Sequence, residues 1–227
     1  MAPYVLQSPC TVDDVAGLAR NNVSAFWDET WWRLLWNDRR TVDSLIDAVT
    51  IRTPKNLLTD RDVRRHQKVV DSDSGLIVGY ARWILPVSHQ SDWLEAQALE
   101  VSEDQRDMFS QRHAQTDFST REDMDDLDRH VHEWNAKYNH GQCLMLDYLA
   151  VRPDHHRRGV GSMLVQSGVK KANELGLDIF LVAMGRRALG MYLKAGFDLV
   201  DQHSDSLLDF GADEMYETFC LIKRARV

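Results

Sequence analysis

The stretch that decides the fold is Leu149-Ala150-Val151-Arg152-Pro153-Asp154-His155-His156-Arg157-Arg158-Gly159-Val160-Gly161-Ser162-Met163-Leu164. A continuous apolar run from Leu144 to Val151, broken only by Asp147, leads into it and predicts a buried central strand. Pro153 and Asp154 turn the chain, and a helix is expected from about Arg158-Gly159 to Leu175, with Gly176 as its stop. The first four N–H groups of a helix have no partner inside it and lie at the positive end of the macrodipole. Gly159 and Gly161 lack a Cβ, so a ligand can approach the backbone there. Arg157 and Arg158 add permanent charge in a fork geometry. Together these features describe an anion site suited to a phosphate or pyrophosphate; a tight turn with incidental arginines is the structural alternative. No Gly-Lys-Ser/Thr follows, so this is not a Walker loop. Leu164 stands where a dinucleotide fingerprint requires glycine.

Working outward, Ile179 to Met184 reads as a second buried strand, and Gly185 to Ala195 as a short helix stopped by Gly196. Phe197 to Gln202 and Met215 to Lys223 are expected to be closing strands. Toward the N-terminus, Gln67–Val70 and Leu76–Leu85 flank the turn formers Asp71-Ser72-Asp73-Ser74-Gly75 and predict an antiparallel hairpin, which Pro86 ends. Tyr4–Gln7 is a short first strand, followed by a helix with Thr11 or Asp13 as N-cap and Val15, Leu18, Val23 and Phe26 as apolar positions. Trp27, Trp31, Trp32 and Trp36 fall on one broad helical face. They read either as packing under a sheet or as the aromatic wall of a pocket.

The chain has 227 residues, 44% hydrophobic and 27% charged, which is ordinary for a globular protein. Residues 87–142 carry 13 Asp or Glu against 5 Lys or Arg, a local charge of −8 that equals the net charge of the whole chain. The acid is therefore local. Within it Met124, Leu127, Val131 and Trp134 recur at helical spacing, whereas Ser102 to Thr120 reads as polar loop. The segment is either a solvated face or a lid that attracts a cationic substrate. An acidic chain disfavours nucleic acid and anionic membranes as partners. Three scattered cysteines (Cys10, Cys143, Cys220) form no metal-binding spacing, and no metal site is expected. The first residues lack the basic-then-apolar pattern of a secretory signal, and no apolar run reaches membrane-spanning length, so a cytoplasmic location is expected.

The stretch from Leu144 to Phe197 resembles the GCN5-related N-acetyltransferase (GNAT) superfamily. That family carries [Gln/Arg]-x-x-Gly-x-[Gly/Ala] after its fourth strand, usually behind Val-x-Pro. Here Val151-Arg152-Pro153 precedes His156-Arg157-Arg158-Gly159-Val160-Gly161. Ile179–Ala183 is similar to its fifth strand, Ala188–Phe197 to its "LYxKxGF" helix end, and Ile77–Trp83 to its third strand. The acidic stretch before the fourth strand resembles fungal members. His156 departs from the family's Gln or Arg.

The resemblance implies one α/β N-acetyltransferase domain over 1–227, with an acidic, partly helical insertion at about 87–142. Its sheet would be mixed and mostly antiparallel, with six to seven strands flanked by helices and splayed between strands four and five. It implies acetyl-CoA as co-substrate. The pyrophosphate would lie on the loop of His156, Arg157, Arg158, Gly159, Val160, Gly161 and Ser162, and the pantetheine arm along Leu149, Ala150 and Val151. The reaction implied is direct attack of a primary amine, of a small molecule or peptide, on the thioester in a ternary complex. Asp147 stands where the family often has its base; a carboxylate bonded to backbone or an arginine is the structural reading of the same residue. Tyr192 matches a tyrosine near the coenzyme sulfur. His66, His155 and Glu133 are further possible bases, and Arg186 and Arg187 are possible contacts for the 3′-phosphate. The acidic insertion and the Trp cluster would suit a cationic, partly apolar acceptor. Two other readings are open: an acyl-CoA-binding accessory or sensor protein, and an acyltransferase using another acyl group or a hydroxyl acceptor. Either a monomer or a homodimer is compatible with the sequence.

Overall fold

A computed structural model describes residues 3–36 and 40–225. Seven strands form one sheet: β1 (Tyr4–Gln7), β2 (Arg64–Asp71), β3 (Ile77–Ile84), β4 (Leu144–Val151), β5 (Ile179–Met184), β6 (Asp198–Ser206) and β7 (Met215–Lys223), in the order β1-β2-β3-β4-β5-β7-β6. All neighbours are antiparallel except β4 and β5. That one parallel pair is in register only at Leu144–Ile179, Met145–Phe180 and Leu146–Leu181. Beyond it β4 runs on to Val151 and β5 to Met184 without each other, so the sheet opens into a splay.

Helices α1 (Val15–Phe26), α2 (Thr30–Leu34) and α3 (Val42–Leu58) precede β2; α4 (Glu103–Gln115) and α5 (Arg129–Trp134) lie in the acidic stretch between β3 and β4; α6 (Val160–Leu175) follows β4, and α7 (Arg186–Lys194) follows β5. Among the described residues no helix is long and apolar enough to cross a membrane. The three cysteines are unpaired.

Three expectations are corrected. Residues 103–115, expected as loop, form α4, capped by the reciprocal Ser102–Gln105 box. The helix buries none of its residues, so it has no apolar period to read. The Trp segment is not one helix, because the chain breaks between Phe26 and Thr30. Trp27, Trp32 and Trp36 pack edge-on in one chain of rings, while Trp31 turns away onto Tyr216. Strand β2 begins three residues earlier than the pattern predicts, since Arg65 and His66 are buried polar side chains. The Arg65 guanidinium is satisfied by the carbonyls of Arg61, Asp62, Arg64, Gln90 and Asp92. Residues 42–58, where the apolar pattern gives no reading, form α3 behind a Thr41–Ser44 capping box.

Helix α6 sits on the sheet through Val160, Leu164, Val165, Gly168 and Ala172, its buried face. Two glycines set how close it comes. A Cβ on Gly79 of β3 would lie 2.6 Å from Val160 Cγ1, and one on Gly168 would lie 2.1 Å from the Trp83 indole. Trp83 is fully buried and has no space to yield. Gly168→Ala should therefore destabilise the protein. The gain in helix propensity is about 1 kcal/mol, whereas overpacking costs about 1–3 kcal/mol or more. We expect a melting temperature lower by several degrees; an unchanged or raised value in calorimetry would contradict this packing.

Candidate active site

The geometry of β4 follows from one extra residue. Arg82 on β3 faces Tyr148, but Trp83 faces Leu146, which leaves Asp147 without an opposite number. This bulge shifts the phase of the strand. Leu144, Leu146, Leu149 and Val151 pack with the α6 side of the core, while Met145 and Tyr148 pack on the other side. Asp147 is re-aimed beside Arg82, whose Nε donates to its Oδ2. The predicted base is thus held by an arginine, the structural alternative read from the sequence, at a point where both side chains remain about a quarter exposed.

On the opposite side of the splay, the loop after β4 enters α6. Arg157 has φ of 59° and Gly159 has φ of 89°. A left-handed Arg costs about 1–2 kcal/mol and arranges successive amides as an anion nest. The first helical bond runs from Met163 N–H to the Gly159 carbonyl at 2.9 Å, so the amides of Val160, Gly161 and Ser162 have no intrahelical acceptor. Arg157, Arg158, Gly159 and Ser162 are exposed, and among the described residues neither arginine is in an ion pair. Nothing lies within 4 Å of a Cβ built on Gly159, so its absence serves backbone conformation and open approach. Gly161 differs from expectation: its Cβ would lie 3.1 Å from Met191 Sδ and 3.6 Å from Val151 Cγ2, so this glycine also serves packing onto α7. His156 turns its ring back, and Nε2 donates to the Val151 carbonyl at 2.8 Å, closing the loop onto the strand. The free amides, the nest and the two unpaired guanidiniums fit a phosphate-bearing ligand.

Tyr192 is buried on α7 and packs edge-on against Phe197, with ring centroids 5.6 Å apart. Burial pushes its phenol well above the usual tyrosine range, so it stays protonated at neutral pH. The other predicted groups do not join it. His155 Nδ1 lies 2.9 Å from Tyr4 Oη and ties the loop to β1. Glu133 is exposed on α5. His66 Nδ1 lies 2.9 Å from Tyr80 Oη, while burial first, and then Arg82, Arg64 and Arg65, push its pKa down to about 3. Arg186 forks onto Glu217 and Arg187 meets Glu29 at 2.5 Å, so both carry partners instead of standing free for a phosphate. Away from the site, His130, His203 and Asp205 bring ligand atoms within 4.8 Å of one another, a grouping the sequence pattern misses because it joins α5 to β6. His130 is engaged by Thr218 and His203 by Asp205.

A cavity of about 340 Å³ lies among α1, α2, α3 and β3 and reaches the unpaired half of β4 at Tyr148. Trp32, Trp36, Phe118, Tyr80 and Tyr148 supply aromatic walls, and Arg52 and Arg82 the charged ones. Among the described residues no Asp or Glu lines it. Sequence reasoning misses Arg52, Arg82, Tyr80, Tyr148 and Phe118. A charged residue inside the apolar run Ile77–Ile84 marks Arg82, but its pairing with Asp147 requires the strand register.

No curated protein sequence matches the chain. Solved structures do. The C-terminal condensation domain of Ebony, solved with beta-alanyl-dopamine, has a TM-score of 0.63 at 14% identity, over 99% of this chain and 100% of that one. A polyamine N-acetyltransferase from Drosophila melanogaster has a TM-score of 0.58 at 12% identity, over 97% and 99%. The acetyltransferase yncA from Salmonella typhimurium, described as putative and solved with acetyl-CoA, has a TM-score of 0.50 at 12% identity, over 99% and 95%. At such identities the likeness speaks for the fold alone. The family model reaches further, because it matches residues 29–197 and so takes in the hairpin, the bulged strand, the anion loop and the turn into Phe197; on that match the chain belongs to the acetyltransferase (GNAT) family.

Proposed function

We propose that the chain transfers the acetyl group of acetyl-CoA to a primary amine by direct attack in a ternary complex, as a cytoplasmic enzyme. The observation that carries this reading is the splay itself: an anion cradle opens on one side of it and an aromatic cavity on the other. Acetyl-CoA supplies an acyl group activated as a thioester. The amides of Arg157 to Ser162, with both guanidiniums, hold the pyrophosphate. The backbone of Leu149, Ala150 and Val151, which lacks a β5 partner, pairs with the pantetheine amides.

A free alkylamine has a pKa near about 10.4, so at neutral pH it arrives as an ammonium and must lose a proton. Asp147 is the base, with Arg82 fixing Oδ2 and Oδ1 turned to the amine or a bridging water. The nitrogen lone pair forms the C–N bond, the C–S bond breaks, the leaving sulfur takes a proton from the Tyr192 phenol, and the surplus proton left on nitrogen passes through water to restore that phenol, while Asp147 returns its proton to solvent. Because burial keeps that phenol protonated, no alkaline loss from this group is expected within the ordinary assay range.

Calorimetry with coenzyme A and thiol release with an amine panel test this reading. Gly159→Val forces a β-branched residue to φ of 89° and should weaken coenzyme binding at least about ten-fold; unchanged affinity would contradict the cradle. Asp147→Asn should lower kcat/KM by about 10²–10⁴-fold while coenzyme affinity holds. Tyr192→Phe, which keeps the packing, should lower kcat with little change in KM. Coenzyme binding without turnover for every amine would favour an accessory or sensor role instead, and product mass would reveal another acyl group or a hydroxyl acceptor.

A further inference from the structure

We propose that the acceptor is a small amine that also carries a carboxylate, and that Arg52 on α3 receives it. The inference rests on the acetyltransferase reading of the same site and reverses the expectation of a cationic acceptor.

Among the described residues two guanidiniums line the cavity and no carboxylate does. Arg82 is answered by Asp147. Arg52 is not answered. Among the described residues it makes no ion pair; its Nη1 donates to the His113 carbonyl at 3.2 Å, and its guanidinium lies 4.4 Å from the centroid of Phe118. Burial lowers its pKa, and no acidic side chain among the described residues acts on it. The neighbours that do act in this corner, Lys55 and His113, are basic. Keeping a half-buried cation without a counter-ion is unfavourable unless something supplies one. This happens in a chain of net charge −8.

Position completes the case. Arg52 and Arg82 line one cavity, and Asp147 adjoins it through its pair with Arg82. An acceptor that places its amine at Asp147 and its carboxylate at Arg52 spans that cavity with an apolar body against Trp32, Trp36 and Tyr148. A planar fork is the group of choice for a carboxylate, and stacking on Phe118 pre-orients it. The volume of about 340 Å³ suits a small molecule rather than a peptide.

The test reads binding directly, so that it does not depend on turnover. 4-(Aminomethyl)benzoate and benzylamine form one matched pair, phenylalanine and phenethylamine another, titrated against the full chain by calorimetry and by tryptophan fluorescence, since Trp32 and Trp36 line the cavity. At least one carboxylated member should bind about ten-fold or more tightly than its carboxylate-free partner. Arg52→Gln should abolish that preference and leave the carboxylate-free partner no weaker, while Arg52→Lys should retain part of it. Melting temperature checks that each variant folds. The proposal is overturned if neither carboxylated compound outbinds its partner, or if the preference survives in a folded Arg52→Gln. Thiol release from acetyl-CoA is read separately: selective binding with no acetylation of any amine defeats the transferase reading and leaves the anion site standing.

Discussion

Everything functional in this molecule depends on the parting of β4 and β5 after three residue pairs. A parallel pair that continued would satisfy its own backbone and leave nothing for a ligand. Here the far halves of both strands keep their pairing with β3 and β7 on one edge and lack a strand partner on the other. The gap persists because its two sides are held independently. Helix α6 is fixed to β3 through the close approaches at Gly79 and Gly168, while β5 is held by its long antiparallel pairing with β7. The strands thus diverge without loss of the core between them.

The charges around the gap are better understood one by one than from the net value. The acidic insertion dominates the arithmetic of the chain, yet much of it is spent on surface pairs such as Arg121–Asp123 and Arg129–Asp126. Exposed pairs of this kind contribute little to stability. At the site the pattern is the reverse. Arg157 and Arg158 stand exposed at the α6 end, and Arg52 lies in the cavity without an acidic partner among the described residues. Cations that have no acidic partner among the described residues, at the α6 end and in the cavity, are consistent with two anionic groups binding at two places.

Much of this was legible in the sequence, because its signals were local. Glycines after a buried strand, arginines beside them and stops at Gly176 and Gly196 each follow from backbone sterics within a few residues. The strands appeared wherever apolar residues ran without interruption. What stayed hidden depends on register or on polar burial. Helix α4 buries none of its residues, and α3 carries Pro54 within it. The start of β2 is masked by the buried Arg65 and His66. The Arg82–Asp147 pair arises from a bulge, which no periodicity reveals, and the cavity joins residues from α1, α2, α3, β3, β4 and the Phe118 segment. Asp147 could be singled out as a lone charge in an apolar strand, but what holds it could not.

The most direct measurement of the central claim is hydrogen–deuterium exchange with and without coenzyme A. The account predicts that the coenzyme slows exchange in two separate places, the amides of Leu149–Val151 and those of Val160–Ser162, with little change in β7. Protection confined to other segments, or none at saturating coenzyme, would contradict it.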